Sequence, residues 1–334
     1  MEPLLTPTGR FSADKDSYVL SNAEAGASAK DVIFTDTPEY QARPHKRRKR
    51  AKALAKGGMY LTETDRVVMH YIAAFGFLPL ETLAELMHTT KNAMQLRTRR
   101  MVKVKILDKT FGLAGESILT ITQKGLRVTG LRGFKANVQP RPTTYFHTLG
   151  EAAALRYINQ EMKFRAVITE RELDAFIKSG VLTPRLTATQ PWTKGYTVDQ
   201  AIEWQPPFVS PNLNGRKKPD LLILRQGKDG QPLPPYGVEV ELSPKSPKDY
   251  REVLRTYADA ARAGHLSPGL LYLVDSDDPD SRTALERGFA KAAEKWHDPI
   301  AGRNEWSNLD IKIRDLGGYF ESYVARRAKM MSAY

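Results

Sequence analysis

Three carboxylates in this chain occupy positions where a folded protein rarely leaves a charge without a purpose. Asp220 opens the apolar run Leu221-Leu222-Ile223-Leu224, and Glu239 and Glu241 lie inside a second run with Val238, Val240 and Leu242. Both runs predict strands that are mostly buried, where a carboxylate is costly unless it is paired or holds a cation. Residues i and i+2 of a strand share a face, so Glu239 and Glu241 project together, away from Val238, Val240 and Leu242. If the Asp220 strand lies beside theirs, three carboxylates converge on one point. Such a donor set suits a hard divalent cation, Mg2+ or Mn2+. Lys245 follows a few residues past the second run.

The elements that must position these acids begin near residue 147 and alternate in type. Residues 148–162 predict a helix with Ala152, Leu155, Ile158 and Met162 inward, and 164–169 a short strand. Residues 175–217, with Trp192, Trp204 and several prolines, read as an irregular insertion. Strands at 219–225 and 236–242 follow, joined by a turn around Asp229-Gly230. Ser246-Pro247, with Asp249 three residues after the cap, marks a helix start. That helix carries Tyr250, Val253, Leu254, Tyr257 and Ala261 on one face, and Lys248, Arg251, Arg255 and Arg262 as a separate basic stripe. A strand at 269–274, a helix at 280–296, a strand at 309–313 and a basic helix at 318–332 complete the pattern. His147 reads as a helix-start residue with ordinary hydrogen bonds, with a general base as the alternative.

Charge is unevenly spread along the 334 residues. The chain totals +13, but residues 1–42 carry −4, residues 43–135 carry +14 and residues 136–334 carry +3. A localised positive excess is the footprint of a polyanion-binding surface. It opens with Arg43-Pro44-His45-Lys46-Arg47-Arg48-Lys49-Arg50, a basic arm with no acid before Glu63. Arg47, Arg48 and Arg50 are candidate phosphate contacts, and residues 1–57 as a whole read as disordered without a partner.

Residues 58–130 predict three helices and a hairpin. Thr62 caps the first helix, Gly76 ends it, and Pro79 precedes the second. The third follows Thr89 or Thr90, with Ala93, Leu96, Met101 and Val104 expected inward and Lys91, Gln95, Thr98 and Arg99 on the opposite face. It holds six Lys/Arg, Lys103 among them, and no acid between residues 90 and 105. Residues 106–111 and 117–122 alternate as a hairpin around Leu113-Ala114-Gly115-Glu116. This pattern, ending in Leu119-Thr120-Ile121-Thr122-Gln123-Lys124-Gly125, resembles the winged helix-turn-helix fold, whose third helix enters the major groove of DNA. Residues 131–146 read as a linker.

The later order of helix, strands and helix, with Pro219-Asp220 on one strand and Glu239-Val240-Glu241 on the next, resembles the PD-(D/E)xK nuclease superfamily. Combined with the upstream winged helix and the run Glu239-Val240-Glu241-Leu242-Ser243-Pro244-Lys245, it looks like the replication-relaxation family of bacterial mobile elements. The likeness spans residues 58 to about 275 and implies an α/β (α+β) chain, a winged helix followed by a nuclease-like mixed sheet flanked by helices. It implies that Asp220 and Glu239 are catalytic metal ligands. Glu241 stands where the commonest pattern has a lysine. Either Glu241 manages a water or metal, or Lys245 reaches back into the site. Glu151 is the helix carboxylate the resemblance would add, with Glu170 and Glu172 as rivals.

The implied function is a Mg2+- or Mn2+-dependent DNA endonuclease or nickase acting in replication, transfer or mobility of a plasmid, phage or integrative element. The alternative is a non-catalytic DNA-binding initiator or transcriptional regulator on a degenerate nuclease fold. Lys91, Gln95, Thr98, Arg99, Lys103, Lys248, Arg251 and Arg255 are the expected DNA contacts beside the arm. Expected partners are double-stranded DNA, a second copy in a homodimer, and replication or mobilisation proteins. The chain has no cysteine, which excludes disulfides and thiol catalysis and fits a reducing cytoplasm. With no run of about 20 apolar residues and no signal-peptide layout at Met1-Glu2-Pro3-Leu4-Leu5, a cytoplasmic, nucleoid-associated location with no membrane contact is expected.

Overall fold

The computed structural model describes residues 32–34, 59–113, 115–162, 166–179, 218–226, 232–275, 279–295, 297–298 and 303–320. The basic arm with Arg47, Arg48 and Arg50, the insertion's Trp192 and Trp204, the turn at Asp229-Gly230 and residues 321–332 lie outside them. The chain is mixed α/β and divides into two compact units, Met1–Pro140 and Arg141–Tyr334.

In the first unit, β1 (Val32–Phe34) runs parallel to β2 (Met59–Leu61). Helix α1 (Glu63–Phe75) starts in a capping box: Thr62 accepts from the Asp65 amide, and the Asp65 carboxylate accepts from the Thr62 amide at 2.7 Å. It ends at Gly76, whose φ of 82° an L side chain rarely adopts. Strand β3 (Phe77–Pro79) leads into α2 (Leu80–Leu86), and Thr90 caps α3 (Lys91–Lys103). Strands β4 (Leu107–Phe111) and β5 (Ser117–Ile121) form an antiparallel hairpin. Together with β3 they make a three-stranded sheet in the order β3-β5-β4, and α4 (Gln123–Thr129) follows.

One expected face is rotated. Met94, Thr98 and Met101 are the buried residues of α3, whereas Ala93 and Leu96 are exposed. Thr98 therefore cannot be a DNA contact; its hydroxyl donates to the Met94 carbonyl at 2.9 Å inside the unit. Arg97 fixes the helix by donating to Asp65 of α1 at 2.6 Å, which holds the 94–98–101 stripe inward. Lys91, Gln95, Arg99 and Lys103 are exposed.

The second unit opens with α5 (Pro142–Glu161). The helix starts inside the stretch read as linker, because Pro142 at its first turn needs no amide partner. His147 is thus a helical residue, not one ahead of the helix. Next come β6 (Ala166–Thr169), α6 (Glu170–Ser179), β7 (Leu221–Gln226), β8 (Pro232–Glu241), α7 (Pro247–Arg262), β9 (Gly269–Val274) and α8 (Pro279–Lys295). The pair β10 (His297–Asp298) and β11 (Arg303–Asn304) precedes β12 (Asp310–Asp315) and a 3-10 turn at Gly317–Phe320. Helix α6 extends into the stretch where the irregular insertion was expected, and Ser246 and Asp249 form the capping box of α7.

Five strands form one sheet in the order β12-β9-β8-β7-β6. β6, β7 and β8 pair antiparallel, whereas β8, β9 and β12 pair parallel. Alternation along β8 sorts its two faces. Gly150 of α5 sits against Val240 and Leu242, where an added Cβ would come within 2.9 Å of Val240 Cγ1. On the other face, a Cβ on Gly237 would overlap the Tyr257 ring of α7. The core between sheet and helices is built on Tyr250, Tyr257, Tyr272, Leu254 and Leu270, all at most 1% exposed. Each buried leucine there contributes about 1.5–3 kcal/mol by leaving water.

Candidate metal site and acidic network

The residues able to hold a cation meet where α5 passes the start of β7. His147 and Glu151, four residues apart, share one helical face. His147 Nε2 lies 3.0 Å from Asp220 Oδ1 and 3.4 Å from Glu151 Oε1. One ligand atom from each of the three lies within 4.8 Å of the other two, so His147, Glu151 and Asp220 could hold a metal ion. Asp220 is fixed by its second oxygen, which accepts the Val240 amide at 2.7 Å, and by its carbonyl, which accepts the Glu170 amide at 2.9 Å. Asp220 and Glu151 are buried, while the His147 side chain is 40% exposed and gives the cluster its access to solvent.

Electrostatics here are strongly perturbed. Burial favours neutral His147, but the hydrogen bonds and charges of Asp220 and Glu151 prevail and push it up to about 11. Burial raises Glu151. Glu170 is raised to about 7 by burial and by the neighbouring charges of Asp220 and Glu151. Glu172 serves the helix rather than the cluster. It accepts the Thr169 amide at 2.8 Å while Thr169 accepts the Glu172 amide, a capping box at the start of α6. Arg171, to which the sequence pattern assigns no role, lies in the field of Glu151, and its buried Nε has no hydrogen-bond partner among the described residues.

Glu239 and Glu241 are grouped differently from the sequence expectation. Both are buried on the α7 side of β8, where Tyr257 donates to Glu239 Oε1 at 2.8 Å. Lys245 reaches back to them, its Nζ 2.8 Å from Glu241 Oε2 and 3.9 Å from Glu239 Oε2. The Lys245 amide donates to the Tyr250 hydroxyl at 2.9 Å, which fixes the turn that returns the lysine. Burial, then the nearby charge of Asp220, raises Glu239 to about 8. Thus the three strand acids do not form one metal-ligating group among the described residues. The alternation that puts Glu239 and Glu241 together also turns them from α5, and Asp220 joins the α5 residues through its own side chain.

The basic stripe of α7 is engaged within the protein. Arg251 and Arg255 both pair with Glu305, at 2.7 and 3.6 Å. Arg262 pairs with Asp259 and donates to the Glu305 carbonyl. Lys248 is exposed. Arg251 and Arg255 were expected to meet phosphate; here they share the single carboxylate of Glu305, in the turn before β12, which offsets one of their two charges, and the Arg255 side chain stays 55% exposed.

No described helix is long and apolar enough to cross a membrane. Comparison with protein-family models finds no match, and neither does comparison with curated proteins or with solved structures.

Proposed function

We propose that the chain is a DNA-binding protein whose first unit is a winged helix and whose second is a nuclease-like domain that hydrolyses phosphodiester bonds with a divalent metal. The reading rests on one observation above others: His147 and Glu151 of α5 and Asp220 just before β7, 73 residues from His147, bring three ligand atoms to one partly open point.

The donor set fits a divalent cation. One imidazole and two carboxylates suit Mn2+ and, less closely, Mg2+. His147 Nε2 lies between the two carboxylates, whose charges favour its protonated form, and a cation taking the site would compete with that proton. When bound, the ion would supply an acidified water and stabilise charge on the transferring phosphate. The protein's own contribution is positional. Val240 holds Asp220 through its amide, the i, i+4 spacing aims His147 and Glu151 together, and Arg171 adds positive charge beside Glu151. Lys245 keeps Glu239 and Glu241 from repelling each other at the end of β8. In the first unit, Lys91, Gln95, Arg99 and Lys103 are exposed on α3, with Glu81 of α2 3.8 Å from Lys91, and the remaining cations suit duplex DNA.

A second reading has a specific observation behind it. Lys245 is ion-paired with Glu241, which occupies the place of the usual catalytic lysine, so a site that binds DNA without cutting fits the same geometry. Incubating supercoiled plasmid with the protein and Mn2+ or Mg2+ separates the two. Open-circular or linear product that disappears in Asp220→Ala supports hydrolysis. Retained DNA binding without product in either metal supports the non-catalytic binder.

A further inference from the structure

Leu96 is 64% exposed on α3, where the sequence pattern would have buried it. It lies at the middle of the outer face, because Met94, Thr98 and Met101 take the inner one. At about 100° per residue, Asn92, Ala93, Arg99, Arg100 and Lys103 fall within about 60° of it, with Gln95 at the margin. All of these are exposed, and no acid occurs between Lys91 and Lys103. A face that met only phosphates would have no use for a large apolar group at its centre. A single exposed leucine is otherwise unremarkable, but here its neighbours are three cations and two amides, with Ala93 the one apolar residue beside it.

Duplex DNA offers one apolar feature to a helix in the major groove, the C5 methyl of thymine. The bidentate partner of a side-chain amide there is adenine N6 and N7. Resting on the DNA-binding reading of the first unit, we propose that Leu96 packs on a thymine methyl and reads sequence, flanked by Asn92 and Gln95 directed at adenine. Arg99, Arg100 and Lys103 contact phosphate and set the register. The preferred site then carries A·T pairs at the centre of the α3 contact.

The test starts with duplexes selected from a randomised library by the full-length protein. Each thymine of the selected site is then replaced by deoxyuridine, which removes only the methyl. One position should lose about three- to tenfold in affinity, the value of one buried methyl group. Leu96→Ala should bind the thymine duplex as weakly as the wild type binds the uracil duplex, with no further loss on replacement. Leu96 is exposed, so this variant keeps its core. Indifference to every replacement, or a uracil effect that persists in Leu96→Ala, overturns the proposal while leaving DNA binding intact. A Leu96→Ala protein that instead changes from dimer to monomer in sedimentation assigns the leucine to a second copy and also overturns it. Failure to select any duplex removes the DNA-binding reading itself.

Discussion

His147 Nε2 lies 3.0 Å from Asp220 Oδ1, although 73 residues separate them in the chain. That contact ties the first helix of the second unit to the strand beside the acidic run of β8. Asp220 in turn accepts the Val240 amide, so one side chain links the cluster on α5 to the strand that carries Glu239 and Glu241. The central sheet thereby holds a histidine–carboxylate group on its α5 side and an acid–lysine network on its α7 side.

Metal should stabilise the folded protein through the first group. At a Mn2+ concentration about 100 times its dissociation constant, linkage adds about 2.7 kcal/mol. Differential scanning calorimetry with Mn2+ against EDTA should show that gain in the wild type. His147→Ala and Asp220→Asn should lose it, whereas Arg255→Ala should keep it.

Lys245→Met should be strongly destabilising. The substitution leaves Glu239 and Glu241 buried without their cation, which typically costs about 3–5 kcal/mol. Adding Glu241→Met to Lys245→Met should recover much of that loss, because the unpaired charge is removed with its partner. Urea midpoints of the two variants measure the recovery.

The pH dependence of stability should carry a contribution from Glu239, whose pKa rises from 4.5 to about 8 in the fold. Between these values the folded protein keeps a proton that the unfolded chain has released. The contribution is therefore complete below about pH 4.5 and is lost as pH rises through 8, at up to about 1.4 kcal/mol per pH unit. Glu239→Gln still accepts from Tyr257 but cannot titrate. In EDTA, its urea midpoint should fall less than that of the wild type between about pH 5 and pH 8.

Substitutions on α3 should separate by exposure. Arg99→Ala and Lys103→Ala should each weaken DNA binding across sequences and reduce the salt slope of log K by about one. Thr98→Ala should leave that slope unchanged, since its hydroxyl is spent on the Met94 carbonyl. Fluorescence anisotropy at several salt concentrations reads both effects.

Local signals were legible where one short stretch held all the information. Gly269–Val274 is an unbroken apolar run, and β9 has those bounds. Ser246 with Asp249, and Thr62 before α1, are caps whose donors and acceptors lie three residues apart. The Thr169 and Glu172 pair carried the same signal for α6, but the stretch from 175 with its tryptophans and prolines reads as one irregular insertion. Two features needed tertiary knowledge. The inner face of α3 is set by Met94, Met101 and the Arg97–Asp65 pair, not by its most apolar residue. His147 gains its importance only from Asp220, and no local pattern joins the two.

The position of a bound cation tests the proposed metal centre most directly. A crystal soaked in Mn2+ should give an anomalous difference peak among His147 Nε2, Glu151 and Asp220, at the roughly 2.0–2.3 Å of ordinary metal–ligand bonds. A peak held by Glu239 and Glu241 without His147, or no peak at this cluster at saturating Mn2+, would contradict it.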